Sequence, residues 1–83
     1  MYQYYTVEVK KTHAGEFEHE ALWHWDEDKE KAQLKGESKF HEICSRAAVS
    51  DYAEHSAILF ASTGNRIMDK FYYHSAEGVS VVG

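Results

Sequence analysis

Apolar and polar side chains alternate along the first part of the chain, and a period of two predicts β-strands. The first run covers residues 2–12 and the second covers residues 17–25. Two alternating runs joined by a loop of three or five residues predict a hairpin. In this hairpin Lys10 faces Glu18 or Glu20 across the two strands.

The two sides of the first strand differ in polarity. The apolar side carries Tyr5, Val7 and Val9, and the polar side carries Thr6, Glu8 and Lys10. A half-buried strand turns its apolar side towards the core and its polar side towards water. We therefore predict that the side with Lys10 is exposed to solvent.

After Trp25 the apolar positions recur every three or four residues, which predicts a helix. Asp26 is the predicted N-cap, and the acidic residues that follow suit the positive end of a helix dipole. The apolar stripe consists of Ala32, Phe40, Ile43, Cys44, Ala47 and Ala48. Gly36 interrupts this stripe and predicts either a kink or a helix that begins near Glu37.

Two further strand-like runs, residues 53–62 and 66–74, flank a Thr-Gly-Asn turn and predict a second hairpin. In this hairpin the residues near His55 lie opposite Tyr72 or Tyr73. The element order ββαββ predicts an α+β fold in which one helix packs on one face of a four-stranded antiparallel sheet. Residues 1–74 form this single domain. Residues 75–83 are a C-terminal tail that is disordered or docks on a neighbour's edge.

The third strand places apolar groups on both of its sides. Ile58 and Phe60 point one way, whereas Leu59 and Ala61 point the other. A single helix covers only one face of a four-stranded sheet. We therefore predict that the second face is a subunit interface and that the chain forms a homo-oligomer, a dimer or a multiple of one.

Composition narrows the possible partners. The 83 residues carry a formal net charge of −5, which opposes direct binding to nucleic acid. There is one cysteine, which allows no intramolecular disulfide, and there is no signal-peptide pattern or long apolar run. We expect a cytoplasmic protein without a membrane partner.

Catalytic and metal motifs are absent from the sequence. The six histidines show no ligand spacing, and the five glycines form no phosphate-binding loop. Cys44 lies in the apolar stripe, where a thiol is usually unreactive. We expect no cofactor, no metal and no enzymatic activity, and the least favoured alternative is a small hydrolase that uses His41 or His55 as a base.

One end of the predicted sheet gathers polar and aromatic groups that suit an anionic ligand with a flat ring. The candidate ligand-binding residues are Arg46, Ser50, His55, Ser56, Arg66, Tyr72, Tyr73 and His74. Arginine and serine donors would hold phosphates, and an aromatic ring would stack on the base. The alternative is a polar rim that closes the end of the sheet.

Three stretches of the chain carry a resemblance to a known family: Lys39-Phe40-His41-Glu42-Ile43, Ala47-Ala48-Val49-Ser50 and His55-Ser56-Ala57-Ile58-Leu59, with Gly64 and Tyr73-His74. This pattern resembles a family of very short, mostly uncharacterised proteins encoded by bacteriophages and prophages of Firmicutes and other gut bacteria. The match spans residues 39–74. It implies a phage accessory protein in the host bacterial cytoplasm.

The resemblance implies a role against host defence. Many phage proteins of this size are non-enzymatic oligomers, and some act as sponges that sequester nucleotide-derived immune signals. The first hypothesis is therefore a sponge for such a signal. The alternative is a protein inhibitor that blocks a host defence or nucleic-acid-handling protein through an acidic, aromatic surface containing Tyr2, Tyr4, Trp23 and Trp25.

Overall fold

The computed structural model describes residues 1–75 and 80–82 and contains one helix and one antiparallel sheet. The elements in chain order are β1 Tyr2–Lys11, β2 Phe17–Asp26, α1 Lys29–Ala47, β3 Glu54–Ala61, β4 Arg66–His74 and β5 Ser80–Val82. The helix packs on the sheet, so the predicted α+β, ββαββ architecture is confirmed.

The strand order across the sheet is β2-β1-β3-β4-β5, and every neighbouring pair is antiparallel. The first strand of the chain therefore lies inside the sheet, between β2 and β3. The short β5 extends the predicted four strands by pairing with β4 of the same chain. The rest of the predicted tail, residues 76–79 and 83, lies outside the described residues.

Both predicted hairpins have the expected register. Lys10 lies opposite Glu18, and the five-residue loop between the strands contains Gly15 with a φ of 91°. In the second hairpin, His55 lies opposite Tyr72. The alternation of the strands and the positions of the turns therefore predicted the pairing correctly.

Helix α1 begins two residues later than predicted. Its N-cap is Asp28, whose carboxylate accepts a hydrogen bond from Lys31 N at 3.1 Å. Asp26 instead accepts from Asp28 N at 2.9 Å and forms an ion pair with Lys35. These contacts lower the pKa of the Asp26 carboxyl, the hydrogen bond from Asp28 N being the main cause. The prediction of Asp26 as the N-cap is wrong, because both aspartates suit the role and only contact geometry separates them.

Gly36 does not break the helix, which runs without interruption from Lys29 to Ala47. The glycine is buried where the helix approaches the sheet most closely. A Cβ at this position would lie 2.6 Å from Leu59 Cδ1. The carbonyl of Gly36 accepts a hydrogen bond from the Thr6 hydroxyl at 3.1 Å, which fixes the helix against β1. Glycine is therefore required here for close packing.

The helix covers the side of the sheet that polarity had assigned to solvent. Tyr4, Thr6 and Glu8 of β1 are buried beneath it, whereas Tyr5 and Val7 on the opposite side are only partly buried. The predicted orientation is wrong because helix approach depends on the size of the side chains as well as on their polarity. We call this side the helix-covered face and the opposite side the open face.

The core is small and lies between the helix and the two central strands. It consists of Tyr4, Ala32, Phe40, Ile43, Ala57 and Leu59. The predicted helix stripe is confirmed at its fully buried positions, and Cys44 packs against the edge of this core, where burial raises the pKa of its thiol. Within residues 1–75 and 80–82, no helix has both the length and the apolar character needed to cross a membrane.

Candidate functional site

A cleft of about 320 Å³ lies on the helix-covered face, where the C-terminal end of α1 meets β1 and β3. We call it the corner cleft. It is lined by Glu8, Lys10, Glu20, Leu22, Lys39, Arg46, Ser50, Tyr52 and His55. Three of these residues, Arg46, Ser50 and His55, belong to the site predicted from the sequence.

The end of the helix brings Ser50 next to His55. The last turn tightens, so that the amides of Val49 and Ser50 donate to the carbonyls of Arg46 and Ala47. The chain then turns into β3 within a few residues. Ser50 Oγ lies 2.9 Å from His55 Nδ1. A hydroxyl and an imidazole that are close in sequence are thus held in direct contact.

A buried carboxylate stands at the centre of the site. Glu8 Oε2 lies 2.6 Å from His55 Nε2, and Glu8 Oε1 accepts a hydrogen bond from Arg46 Nη2 at 3.3 Å. His55 is 3% exposed and Glu8 is 8% exposed. Burial of a carboxylate is costly unless its oxygens are paired, and both oxygens of Glu8 have cationic or N–H partners. The network therefore ties β1, β3 and α1 together.

Two assignments of donors and acceptors are consistent with the hydrogen bonds of this network. With a neutral imidazole, Nε2–H donates to Glu8 and the Ser50 hydroxyl donates to Nδ1. With an imidazolium, both ring nitrogens donate, and the Ser50 hydroxyl donates to Ala47 O, which lies 3.3 Å away. Both assignments leave every buried polar atom of this network with a partner.

Serine, histidine and glutamate in contact also form the chain of groups that activates a serine nucleophile. Such chemistry needs free donors near the hydroxyl to stabilise an oxyanion. Two of the backbone amides near the hydroxyl, those of Val49 and Ser50, already bond to helix carbonyls. The contacts of this network hold the end of the helix against β1 and β3.

Cations and an aromatic ring line the wall of the corner cleft. Lys10 Nζ lies 5.4 Å from the centroid of the Tyr52 ring, and this ring meets the His55 ring edge to face. Lys39 is paired with Glu42, and this contact lowers the pKa of the Glu42 carboxyl. The cleft thus presents three cationic side chains, two carboxylates and one phenol ring.

Two further predicted residues lie beside the cleft. Tyr72 is directly opposite His55 on β4. His74 is buried, and its Nε2 lies 2.8 Å from the carbonyl oxygen of Ala47, so the ring N–H donates to the end of the helix. The carbonyl oxygen of Ala47 therefore accepts from His74 on β4 as well as from the amide of Ser50.

Three predicted residues lie elsewhere. Ser56 and Tyr73 belong to the open face, because Ser56 lies opposite Val9 and Tyr73 lies opposite Glu54, two positions before Ser56. Arg66 pairs with Phe60 at the other end of the sheet, six residues along β4 from Tyr72, or roughly 20 Å. Arg66 is also ion-paired with Asp69. The prediction that it shares the site with Arg46 is wrong, because the strand carries it away from the corner.

The cleft contains residues that the sequence analysis did not assign to a site. The alternation of β1 assigns Glu8 and Lys10 to its solvent side, and Lys39 and Tyr52 belong to no motif. The strand that contains His55 could nevertheless have indicated Lys10 as a site residue. Had β1 been placed next to β3, Lys10 would have been predicted opposite His55, where the structure has it.

A larger cleft, about 590 Å³, lies at the opposite end of the sheet near Met1 and Thr63. Its only charged side chain among the described residues is Lys29, and no carboxylate or imidazole lines it. We assign the site to the corner cleft for this reason. No group of His, Cys, Asp or Glu side chains in the described part of the chain could hold a metal ion.

Comparisons of this chain with protein-family models, with curated proteins and with solved structures found no match.

Proposed function

We propose that the chain is a non-enzymatic binding protein that holds an anionic, ring-bearing ligand of the nucleotide class in the corner cleft. The observation that carries the proposal is that Lys10, Lys39 and Arg46 line one cleft together with the ring of Tyr52. Phosphate groups bind such cations, and a base packs against such a ring. In the phage context that the sequence resembles, the ligand would be a nucleotide-derived immune signal, and binding would sequester it.

The charge of the cleft supports this choice. The chain as a whole carries a net charge of −5, but the cleft has three cationic side chains against two carboxylates. The cleft lining is therefore less acidic than the molecule as a whole, and its three cations supply donors for an anionic group. Arg46 also offsets the negative end of the helix dipole, which would otherwise repel phosphate.

The size of the cleft supports a small ligand. Ligand pockets usually measure about 300–1,000 Å³, and the corner cleft, at about 320 Å³, stands at the lower end of this range. A ligand of roughly mononucleotide size fits this volume. A larger signal would leave part of its structure in solvent.

Calorimetric titration with AMP, ADP-ribose and cyclic dinucleotides tests the proposal. Arg46→Ala should weaken binding about 10- to 150-fold, which corresponds to about 1.5–3 kcal/mol for a hydrogen bond to a charged group. Arg66→Ala is the matched control. The two arginine side chains are 52% and 54% exposed, and each is ion-paired to one carboxylate.

The control should bind with wild-type affinity because Arg66 lies at the other end of the sheet. Equal losses in both variants, or no binding of any of these nucleotides by the wild type, would contradict the proposal. Chromatography of the nucleotide after long incubation should return the intact compound. A hydrolysed product would instead assign turnover to the Ser50, His55 and Glu8 network.

A second candidate function, a protein inhibitor, is favoured by the exposure of Trp23 and Trp25. Tyr4 does not belong to such a surface, because it is 4% exposed and packs in the core. Plaque assays on a host with the relevant defence separate the two functions. Loss of protection with Arg46→Ala supports the binding protein, and loss with Trp25→Ala but not with Arg46→Ala supports the inhibitor.

A further inference from the structure

The open face of the sheet carries the largest exposed apolar groups of the described chain. Phe17, Trp23, Trp25 and Tyr73 have between 41% and 62% of their surface exposed. The Tyr5 ring stands between two others, with its centroid 4.6 Å from that of Trp23 and 4.9 Å from that of Phe60. Trp23, Tyr5 and Phe60 therefore form a continuous aromatic row across three strands, with no element of the described structure above it.

The exposed apolar area approaches that of a stable interface. An aromatic side chain presents about 150–250 Å², so four that are half exposed contribute about 400 Å². The partly exposed neighbours Tyr5, Val7, Val9, Ile58, Phe60 and Phe71 bring the apolar total to about 600 Å². A standard interface buries about 800 Å² per partner, a little over half of it apolar. An apolar patch of this size is at the upper limit for a monomer.

The charges of the open face identify a second copy of the chain as its partner. Lys11 and Arg66 carry positive charge there, and Glu54 and Asp69 carry negative charge, so the face is neutral. The whole net charge of −5 therefore resides elsewhere on the molecule. Two copies that meet through their open faces bring neutral surfaces together and keep their acidic surfaces apart.

The shape of the face also suits pairing with itself. Tyr5, Trp23 and Phe60 form one group of rings towards one end of the strands, and Phe17, Phe71 and Tyr73 lie towards the other end, with the smaller Val7, Ala21 and Ile58 between the two groups. A two-fold axis that runs across the strands places the first group of rings of each copy over the second group of its partner. In such an isologous contact each complementary fit occurs twice.

We propose that the chain forms a two-fold dimer in which the open faces of two copies pack together as a sandwich of sheets. The sheets lie about 10 Å apart, the normal spacing for face-to-face packing. The aromatic rings of the two copies form the apolar part of the interface, and the four charged side chains lie at its rim. Each copy keeps its corner cleft on the outer, helix-covered side, so the dimer does not depend on the ligand.

Sedimentation equilibrium over about 1–500 µM tests the dimer. The wild type should approach 19.2 kDa, twice the 9.6 kDa of one chain. Trp23→Lys should weaken the dimer about 30-fold or more, as expected for a central interface residue. Leu34→Lys is the matched control, because Leu34 is 53% exposed on the helix and Trp23 is 50% exposed on the open face.

Circular dichroism of both variants checks that the fold is retained, and Trp25→Lys provides a second open-face variant if the first does not fold. The control should dimerise like the wild type. A mass of 9.6 kDa at every concentration, or equal effects of the open-face and helix variants, would overturn the proposal. A monomer that binds another protein through Trp23 would overturn it as well. Nucleotide titration of the monomeric variant keeps this result separate from the proposed function.

Discussion

The two faces of the sheet use different kinds of side chain for different kinds of contact. The part of the helix-covered face beneath α1 carries small or hydrogen-bonding groups such as Thr6, Glu8 and Ala57, and these are buried together with Tyr4 and Leu59. The open face carries tryptophan, tyrosine and phenylalanine, and much of their surface is exposed. In this chain, therefore, the most hydrophobic face is not the face that the chain itself covers.

This difference has a geometric cause. A helix approaches a sheet closely only where the facing side chains are small, and Gly36 removes even the Cβ at the closest point. A row of rings like that of the open face would hold the helix away from the sheet and leave voids beneath it. Burial under the helix therefore favours side chains that are small or that form hydrogen bonds. The rings lie on the open face, where they suit a flatter and broader contact.

Neighbouring apolar residues of β3 give the most direct test of the comparison. Leu59 is fully buried under the helix, and Ile58 is partly buried on the open face. Leu59→Ala should lower the free energy of unfolding by about 2–5 kcal/mol, because it leaves a cavity in the core. Urea denaturation at low micromolar concentration measures this.

Ile58→Ala is the control, and its cost should depend on protein concentration. Where the protein is monomeric, Ile58→Ala should lower the free energy of unfolding less than Leu59→Ala does, because part of the Ile58 side chain is already in water. At concentrations where a second copy covers the open face, this loss of stability should become larger. A concentration-independent loss as large as that of Leu59→Ala would show that the two faces are equally buried within one chain.

The buried carboxylate of Glu8 should contribute less to the free energy of unfolding than Leu59 does, but more than the partly exposed carboxylate of Glu54. Glu8→Gln removes the charge that both His55 and Arg46 contact. This substitution should lower the free energy of unfolding by about 1.5–3 kcal/mol, the range for hydrogen bonds to a charged group. Glu54→Gln on the open face should stay within about 0.5 kcal/mol of the wild type. Thermal denaturation of both variants at neutral pH compares them, and equal losses would contradict the difference between the faces.

The close approach of the helix predicts a smaller effect at Gly36. Alanine there gains about 1 kcal/mol of helix propensity, but its Cβ would lie 2.6 Å from Leu59 Cδ1. Overpacking of this kind costs about 1–3 kcal/mol, so the net result should be a loss of about 1 kcal/mol. Ser38→Ala, at an exposed position of the same helix, should instead be slightly stabilising. A gain in stability at both positions would mean that the helix moves freely on the sheet.

The smallest expected effect is a dependence of stability on pH at His24, on the helix-covered face. Burial lowers the pKa of this imidazole from its ordinary value of 6.5, and Lys39 and Lys35 lower it further. The unfolded chain therefore binds a proton at a higher pH than the folded chain. Stability should fall as the pH drops below about 6.5, until the folded imidazole is also protonated.

His24→Gln should reduce the size of this fall, and urea midpoints between pH 7.5 and pH 5 measure it. His19→Gln, at an exposed position of the open face, should leave the wild-type profile unchanged. A profile that responds to His19 and not to His24 would contradict the burial of His24 against the helix.

Elements and registers were readable from the sequence because they depend on local periodicity. Lys10 pairs with Glu18 and His55 with Tyr72, as the hairpins required. The choice of covered face was not readable, because it depends on the size of the groups that the helix meets. The sequence predicted Arg46, Ser50 and His55 as parts of one site. It missed Glu8, because the contact of Glu8 with these residues depends on the non-local pairing of β1 with β3.

That pairing also affects how the chain folds. β1 forms a hairpin with β2 next to it in sequence, but its other edge bonds to β3, which follows the helix. During synthesis the first hairpin is complete before its second neighbour has been made. Contacts between residues so far apart slow folding, with mixed α/β domains falling between helical bundles, at roughly microseconds to milliseconds, and β-sandwiches, at roughly milliseconds to seconds. Until the second half of the chain arrives, one edge of β1 remains unpaired and open to strand addition by another nascent chain.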